Sequence, residues 1–141
     1  MSARRLDTVV RIRRLQERLA SGQVAVERQR LGLAEEAERA AWLMVSVRTP
    51  TAGSTPADAF RSHRGLLAAG AGEASSLRIV SQAAVQRVES VLVTWQDARQ
   101  RLDGIERLER RLAVEQHEES IRKESVEMDD LVITRWNRGA A

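Results

Sequence analysis

The residues of this 141-residue chain whose types could carry chemistry are few. There are two histidines, His63 and His117, and no cysteine, so thiolate catalysis, disulfides and cysteine-held metals are excluded. His117 sits in "EQHEES" with Ile121 one helical turn later. A zinc pair on a helix needs a second ligand at that spacing, and isoleucine supplies none. A solvated helix face is the expectation for His117. His63, in "FRSHRG", reads as a surface or packing residue, with contact to a partner as the alternative. The acidic clusters "EEAE" (Glu35 to Glu38) and "EMDD" (Glu127 to Asp130) lack the glycine and ligand spacing of a calcium loop and read as solvated faces. "GAG" (Gly70 to Gly72) is too short for a phosphate cradle and follows no strand, so it reads as a linker. No constellation points to an enzyme, a metal or a cofactor.

What remains is arginine. Of the 23 basic residues, all but Lys123 are Arg, and six fall between Arg4 and Arg18 against Asp7 and Glu17. Such a stretch could grip phosphates or anionic lipid. No aromatic stacks there, the acids dilute the face, and the net charge is only +3, so nucleic acid is not expected. Aromatics make up 3% of the chain and charged residues 30%. That balance suits long helices packed along seams of Leu, Val and Ala rather than a deep globular core. No apolar run reaches the roughly 18 residues of a membrane span. The basic N-terminus has no apolar stretch behind it, so a cleaved secretory signal is not expected and a soluble intracellular protein is.

The elements that must position these residues are helices, in one domain spanning 1–141. A long helix is expected over about 5–48, with Asp7 and Thr8 near its start. Its seam reads Ile12, Leu15, Leu19, Val26, Leu33, Ala40, Leu43 and Val47, with gaps at Gly22, Gln29 and Glu36. Pro50 ends it, and 49–56 reads as a Pro/Gly/Thr linker. Thr55 can cap the next helix, Pro56 suits its first position, and Asp58 completes a capping-box-like pattern. A short helix over 57–69 is expected to stop or bend at Gly70 and Gly72. A second long helix then runs over 73–137, its seam Leu77, Ala84, Val88, Val91, Trp95, Ala98, Leu102, Ile105 and Leu112, shifting to Val114, Ile121, Met128 and Val132. At ~1.5 Å per residue the two long helices reach roughly 63 Å and 97 Å.

The fold class expected is therefore all-α: an antiparallel two-stranded α-helical coiled-coil hairpin with a short helical segment between the two long helices. If the chain ends lie together, Arg11 faces the level of Leu131, Arg14 that of Met128 and Arg18 that of Glu124. The basic start then meets the stretch from Asp103 to Asp130, which carries ten acids against five bases. Trp42 would lie near Ala98 to Leu102, and Trp95 near Val47. Exposed pairs add only about 0–1 kcal/mol each, so they select the antiparallel arrangement rather than hold it together. Phe60, the only phenylalanine, forms with Leu66 and Leu67 a small apolar patch beside Arg61 and Arg64. That patch reads either as a cap on the hairpin or as an exposed docking site.

The order and lengths of three stretches carry a resemblance. "RRLDTVVRIRRLQERLA" resembles the opening of the flagellar export protein FliJ family. "FRSHRGLLAAG" looks like that family's middle segment, and "WQDARQRLDGIERLERRLAVEQHEESIRKESVEMDDLVITRW" is similar to its second helix. The resemblance covers nearly the whole chain, departing in the Thr49 to Pro56 insert, the near-absence of Lys and the lack of Tyr. It implies an antiparallel coiled coil resembling the gamma stalk of rotary ATPases, on the cytoplasmic face of the cell membrane at the flagellar base. It implies a non-enzymatic component of the flagellar type III export apparatus, peripheral to the membrane through its partners. Those partners would be the hexameric export ATPase, whose central hole receives the chain ends, the membrane export gate, and export chaperones that the protein escorts. Carried onto this chain, the ATPase-ring contacts are Arg4, Arg5, Leu6, Arg11, Arg14, Arg135, Trp136 and Arg138. The export-gate or chaperone contacts are Phe60, His63, Arg64 and Leu67. The alternative is a coiled-coil scaffold or substrate-chaperone adaptor unrelated to an ATPase.

Overall fold

The structure is a computed structural model and describes residues 3–48 and 56–140. The described residues form an all-α helical hairpin without strands. Helix α1 spans Ala3–Arg48, 46 residues, and α2 spans Ala57–Gly139, 83 residues. The α1 boundaries follow the expected ones closely. Arg48 closes α1 with a cation favourable to the negative end of the helix dipole. The expected linker lies outside the described residues up to Thr55, and with it the Thr55 cap. Pro56 stands just before α2, and its carbonyl accepts from the Phe60 amide at 2.9 Å to close the first turn. Asp58 sits in that turn, where a carboxylate meets the free amides.

The expected break at Gly70 and Gly72 does not occur, so the short helix and second long helix are one. Neither glycine has a positive φ, and the leucines and alanines around them propagate the helix. Gly70 instead serves packing: a Cβ added there would meet Val45 Cγ2 at 3.3 Å. The glycine lets the two helices approach closely beside the turn, which a pattern reading takes for a stop signal.

Packing divides the chain into two units. One joins residues up to Arg14 with those from Arg99 onward; the other is Leu15–Ala98. In the second unit, Glu17 meets Trp95, Glu27 meets Arg87 and Glu38 meets Ser81. The partner number falls as the α1 number rises, so the helices run antiparallel.

The expected α1 seam is corrected by burial. Leu15, Leu19, Val26, Leu33, Leu43 and Val47 are exposed, Leu33 by 61%, as is Ile12. The covered positions are instead Leu6, Val10, Arg13, Glu17, Ala20, Val24, Glu27, Leu31, Ala34, Glu38, Ala41 and Val45, in alternating four- and three-residue steps. Four of these twelve carry charge and three are alanine, so apolar periodicity alone passes over them. They are nonetheless suited to the seam. Alanine admits a close partner, and three of the polar members find partners on α2. Trp95 Nε1 donates to Glu17 Oε1 at 2.9 Å, and the Ser81 hydroxyl lies 2.6 Å from Glu38 Oε2. Glu27 is 14% exposed and sits between Arg30 at 2.8 Å and Arg87 at 3.7 Å. Hydrogen-bonded polar pairs such as Glu17–Trp95 and Glu38–Ser81 fix one register, because sliding the helices leaves each group without its partner.

On α2 the expected seam matches as far as Leu112, while its expected continuation through Val114, Ile121, Met128 and Val132 is exposed. Ala84, Val88 and Leu102 are buried, and Leu77, Val91, Trp95, Ala98, Ile105 and Leu112 are partly covered; Ala74 and Ser81 complete the series.

The register differs from the expected one. Arg14 meets Glu106 rather than the level of Met128, a displacement of roughly six helical turns. Trp95 meets Glu17 rather than Val47. Trp42 lies between Glu38, opposite Ser81, and Val45, opposite Gly70, so it is not near Ala98 to Leu102 and the tryptophans do not cluster. The cause is the uninterrupted α2: it begins at once beside the end of α1 and spends its first turns pairing there. The remainder outlasts its partner. Every residue from Ala113 to Ala140 is exposed. The covered stripe that would hold the acidic stretch against the arginines ends at Leu112.

Candidate functional site: two helix surfaces

The first surface belongs to the unit holding the chain ends. Arg4 and Arg5 are exposed on the first turns of α1, while Leu6 is 4% exposed and belongs to the seam. Arg11 bonds Asp7 on its own helix at 2.7 Å; that hydrogen bond and the carboxylate charge raise its pKa above the ordinary arginine range. Arg14 is engaged across the helices, its Nε donating to Glu106 Oε1 at 3.2 Å. Arg135, Trp136 and Arg138 are exposed, Trp136 by 77%. The two terminal groups do not form one patch. From the Arg14–Glu106 contact, α1 runs about 15 Å to Arg4 and α2 about 45 Å to Trp136 in the same direction, leaving them about 30 Å apart.

What the last turns of α2 present is a bare amphipathic helix. Ile121, Met128, Leu131, Val132 and Trp136 are all more than half exposed. Acids dominate from Glu115 to Asp130, and Arg135 and Arg138 close the helix with positive charge. Lys123 bonds Glu119 at 3.0 Å, which lowers the Glu119 pKa, chiefly through the hydrogen bond and then through charge. A pKa lowered in the helix means that the pair supports it above the ordinary carboxylate range and that this support is lost on acidification.

The second surface lies beside the turn, in the other unit. Phe60 is half exposed and Arg64 exposed, while Leu67 is partly covered. Leu67 lines a groove of about 490 Å³ with Leu66, Leu77, Ala41, Met44 and Val45. His63 is not a free ligand here. Its Nε2 hydrogen-bonds the carbonyl oxygen of Arg48, one of the orphan carbonyls at the end of α1, and so clasps α1 to the first turns of α2. The groove's α1 wall, Ala37, Ala40, Ala41 and Met44, went unrecognised in the sequence. The run of alanines near the helix end was the available signal, since small residues on one helix leave room for a side chain from another. Among the described residues, no three His, Cys, Asp or Glu side chains are grouped to hold a metal ion, and no helix is long and apolar enough to cross a membrane.

The arrangement offers surfaces for other helices. The model of the family described as "Flagellar FliJ protein" matches residues 1–141 of the chain. No curated protein and no solved structure matches it.

Proposed function

The chain belongs to the flagellar FliJ protein family, that of a component of the flagellar export apparatus, and from that premise we propose that it acts without catalysis, as a stalk for the export ATPase. In this reading the last turns of α2, with Arg135, Trp136 and Arg138, enter the central hole of the hexameric ATPase. Arg4, Arg5 and Arg11 meet acidic groups about 30–40 Å away, nearer the rim. The groove beside the turn, with Phe60, Arg64 and Leu67, faces the membrane export gate or receives export chaperones. The protein is then held at the cytoplasmic face of the membrane through its partners.

The observation that carries this reading is the exposed helix from Ala113 to Gly139, which keeps its fold while presenting Ile121, Met128, Leu131 and Trp136 to solvent. An uncovered helix of this length, with both apolar and charged side chains exposed, suits a ring lumen that can surround it on every side. The test is reconstitution with the ATPase from the same source. Added chain is expected to raise hydrolysis and shift the ATPase toward hexamers. Unchanged activity together with no co-purification counts against the stalk reading. The groove favours one second reading, a chaperone adaptor; retention of an export chaperone that survives Trp136→Ala and is lost in Leu67→Gln would support it.

A further inference from the structure

The stripe on α1 that its own partner helix leaves bare is too regular to be scattered surface. Leu19, Val26, Leu33, Ala40 and Val47 recur every seven residues, and Leu15 and Leu43 stand four residues before Leu19 and Val47. The helix is already committed to a seven-residue repeat by its buried seam, so these residues stay aligned along the whole face. One apolar position in seven, widened to two at Leu15 and Leu43 and interrupted in the second column by Gly22, Gln29 and Glu36, is the width of a helix seam and narrower than the face with which a helix lies on a membrane. A groove of about 670 Å³ runs beside its first part, with Leu19, Gly22 and Val26 of α1 and Val91 of α2 as its apolar lining and Arg18 and Arg30 among its polar one. Arg18 and Arg39 border the strip on one side and Arg30 on the other.

The same chain carries the complement. On the exposed end of α2, Val114, Ile121 and Met128 also recur every seven residues, with Val132 beside them. Glu118, Glu124 and Asp129 stand beside them, with Arg122 next to Ile121, so acids outnumber bases along this strip. We infer that the outer stripe of α1 is a docking face for the acidic C-terminal helix of a second copy of this chain, by apolar residues in register between arginine and carboxylate borders. Pairing α1 with another α1 would oppose arginines, and pairing α2 ends would oppose carboxylates, so the charges select the mixed contact. Two copies can make it reciprocally and close as a dimer, or make it head to tail and grow. The contact does not depend on the ATPase reading, and its test contains no ATPase.

The test is sedimentation equilibrium of the full chain up to high micromolar concentration, at low and high salt, with circular dichroism confirming the fold. The wild type is expected to associate, and to do so at least about tenfold more weakly when salt is raised from ~0.1 to ~0.5 M. Val26→Gln with Leu33→Gln is expected to weaken association by about tenfold or more, and both side chains are exposed, so the hairpin itself remains. One variant reverses Arg18→Glu and Arg39→Glu; another reverses Glu118→Arg, Glu124→Arg and Asp129→Arg. Each alone is expected to remain monomeric, and their mixture to associate. A monomeric wild type, unchanged association in the apolar variant, or a mixture that stays monomeric overturns the proposal. So does a monomeric wild type that sediments with vesicles of anionic lipid through Arg18 and Arg39, which would assign the face to membrane.

Discussion

Val24→Asp is expected to destabilise the hairpin by about 2–5 kcal/mol, whereas Leu33→Asp changes its stability by less than about 0.5 kcal/mol. The two residues lie on the same helix, nine positions apart, and the bulkier one is the one that tolerates charge. Val24 is 7% exposed in the seam against α2, where a carboxylate is cut off from water. Leu33 is 61% exposed on the outer face. Urea titrations followed by circular dichroism, at protein concentrations low enough to keep the chain monomeric, measure both. Equal and large losses would return Leu33 to the seam and overturn the burial pattern of α1.

That contrast also shows how much of the fold the sequence disclosed. The α2 seam was legible because Leu77, Val88, Val91, Trp95 and Leu102 are large, apolar and regularly spaced. The α1 seam was not, because its positions hold Arg13, Glu17, Glu27 and Glu38 among alanines, while a second and more apolar stripe at the same period runs along the outside. Apolar periodicity finds a helix with two stripes but does not choose between them. The choice is made across the interface, by Trp95 for Glu17 and Ser81 for Glu38. The end of α1 and the start of α2 were legible from the two prolines between them. The register was not, since reading Gly70 as a stop set the first turns of α2 aside as a separate element and brought the two chain ends level. Of the expected contacts, the exposed Arg135, Trp136 and Arg138 and the half-exposed Phe60 are placed where partners can reach them. Leu6 is enclosed in the seam, and His63 is spent on the Arg48 carbonyl.

Changing Arg135→Glu, Trp136→Ala and Arg138→Glu together is expected to weaken binding to the export ATPase by about 3 kcal/mol, over a hundredfold, and to remove its stimulation. Tryptophan and arginine are the side chains that most often dominate an interface, and here all three stand exposed on the last turn of α2. The helix is closed there by the Ala140 amide on the Trp136 carbonyl at 3.0 Å, a backbone bond that the substitutions leave in place. The reversed charges oppose the helix dipole and fray at most the last turn, so the thermal midpoint of the hairpin is expected to be unchanged. Arg11 and Arg14 are less clean probes. Arg11 bonds Asp7 and Arg14 bonds Glu106, so reversing them alters the hairpin as well as any ring contact. Full stimulation by the triple variant would show that these residues do not make the contact.

The most direct measurement places a photoreactive phenylalanine analogue at Trp136 in one chain and at Val93 in another, and irradiates each with the export ATPase. Both side chains are exposed, Val93 by 65%, so both are free to react with whatever approaches. A stalk that leads with the end of α2 yields a covalent adduct to the ATPase from position 136 and none from position 93. Adducts from position 93 alone, or from neither while the proteins still co-purify, would mean that the uncovered end of α2 is not what the ring receives.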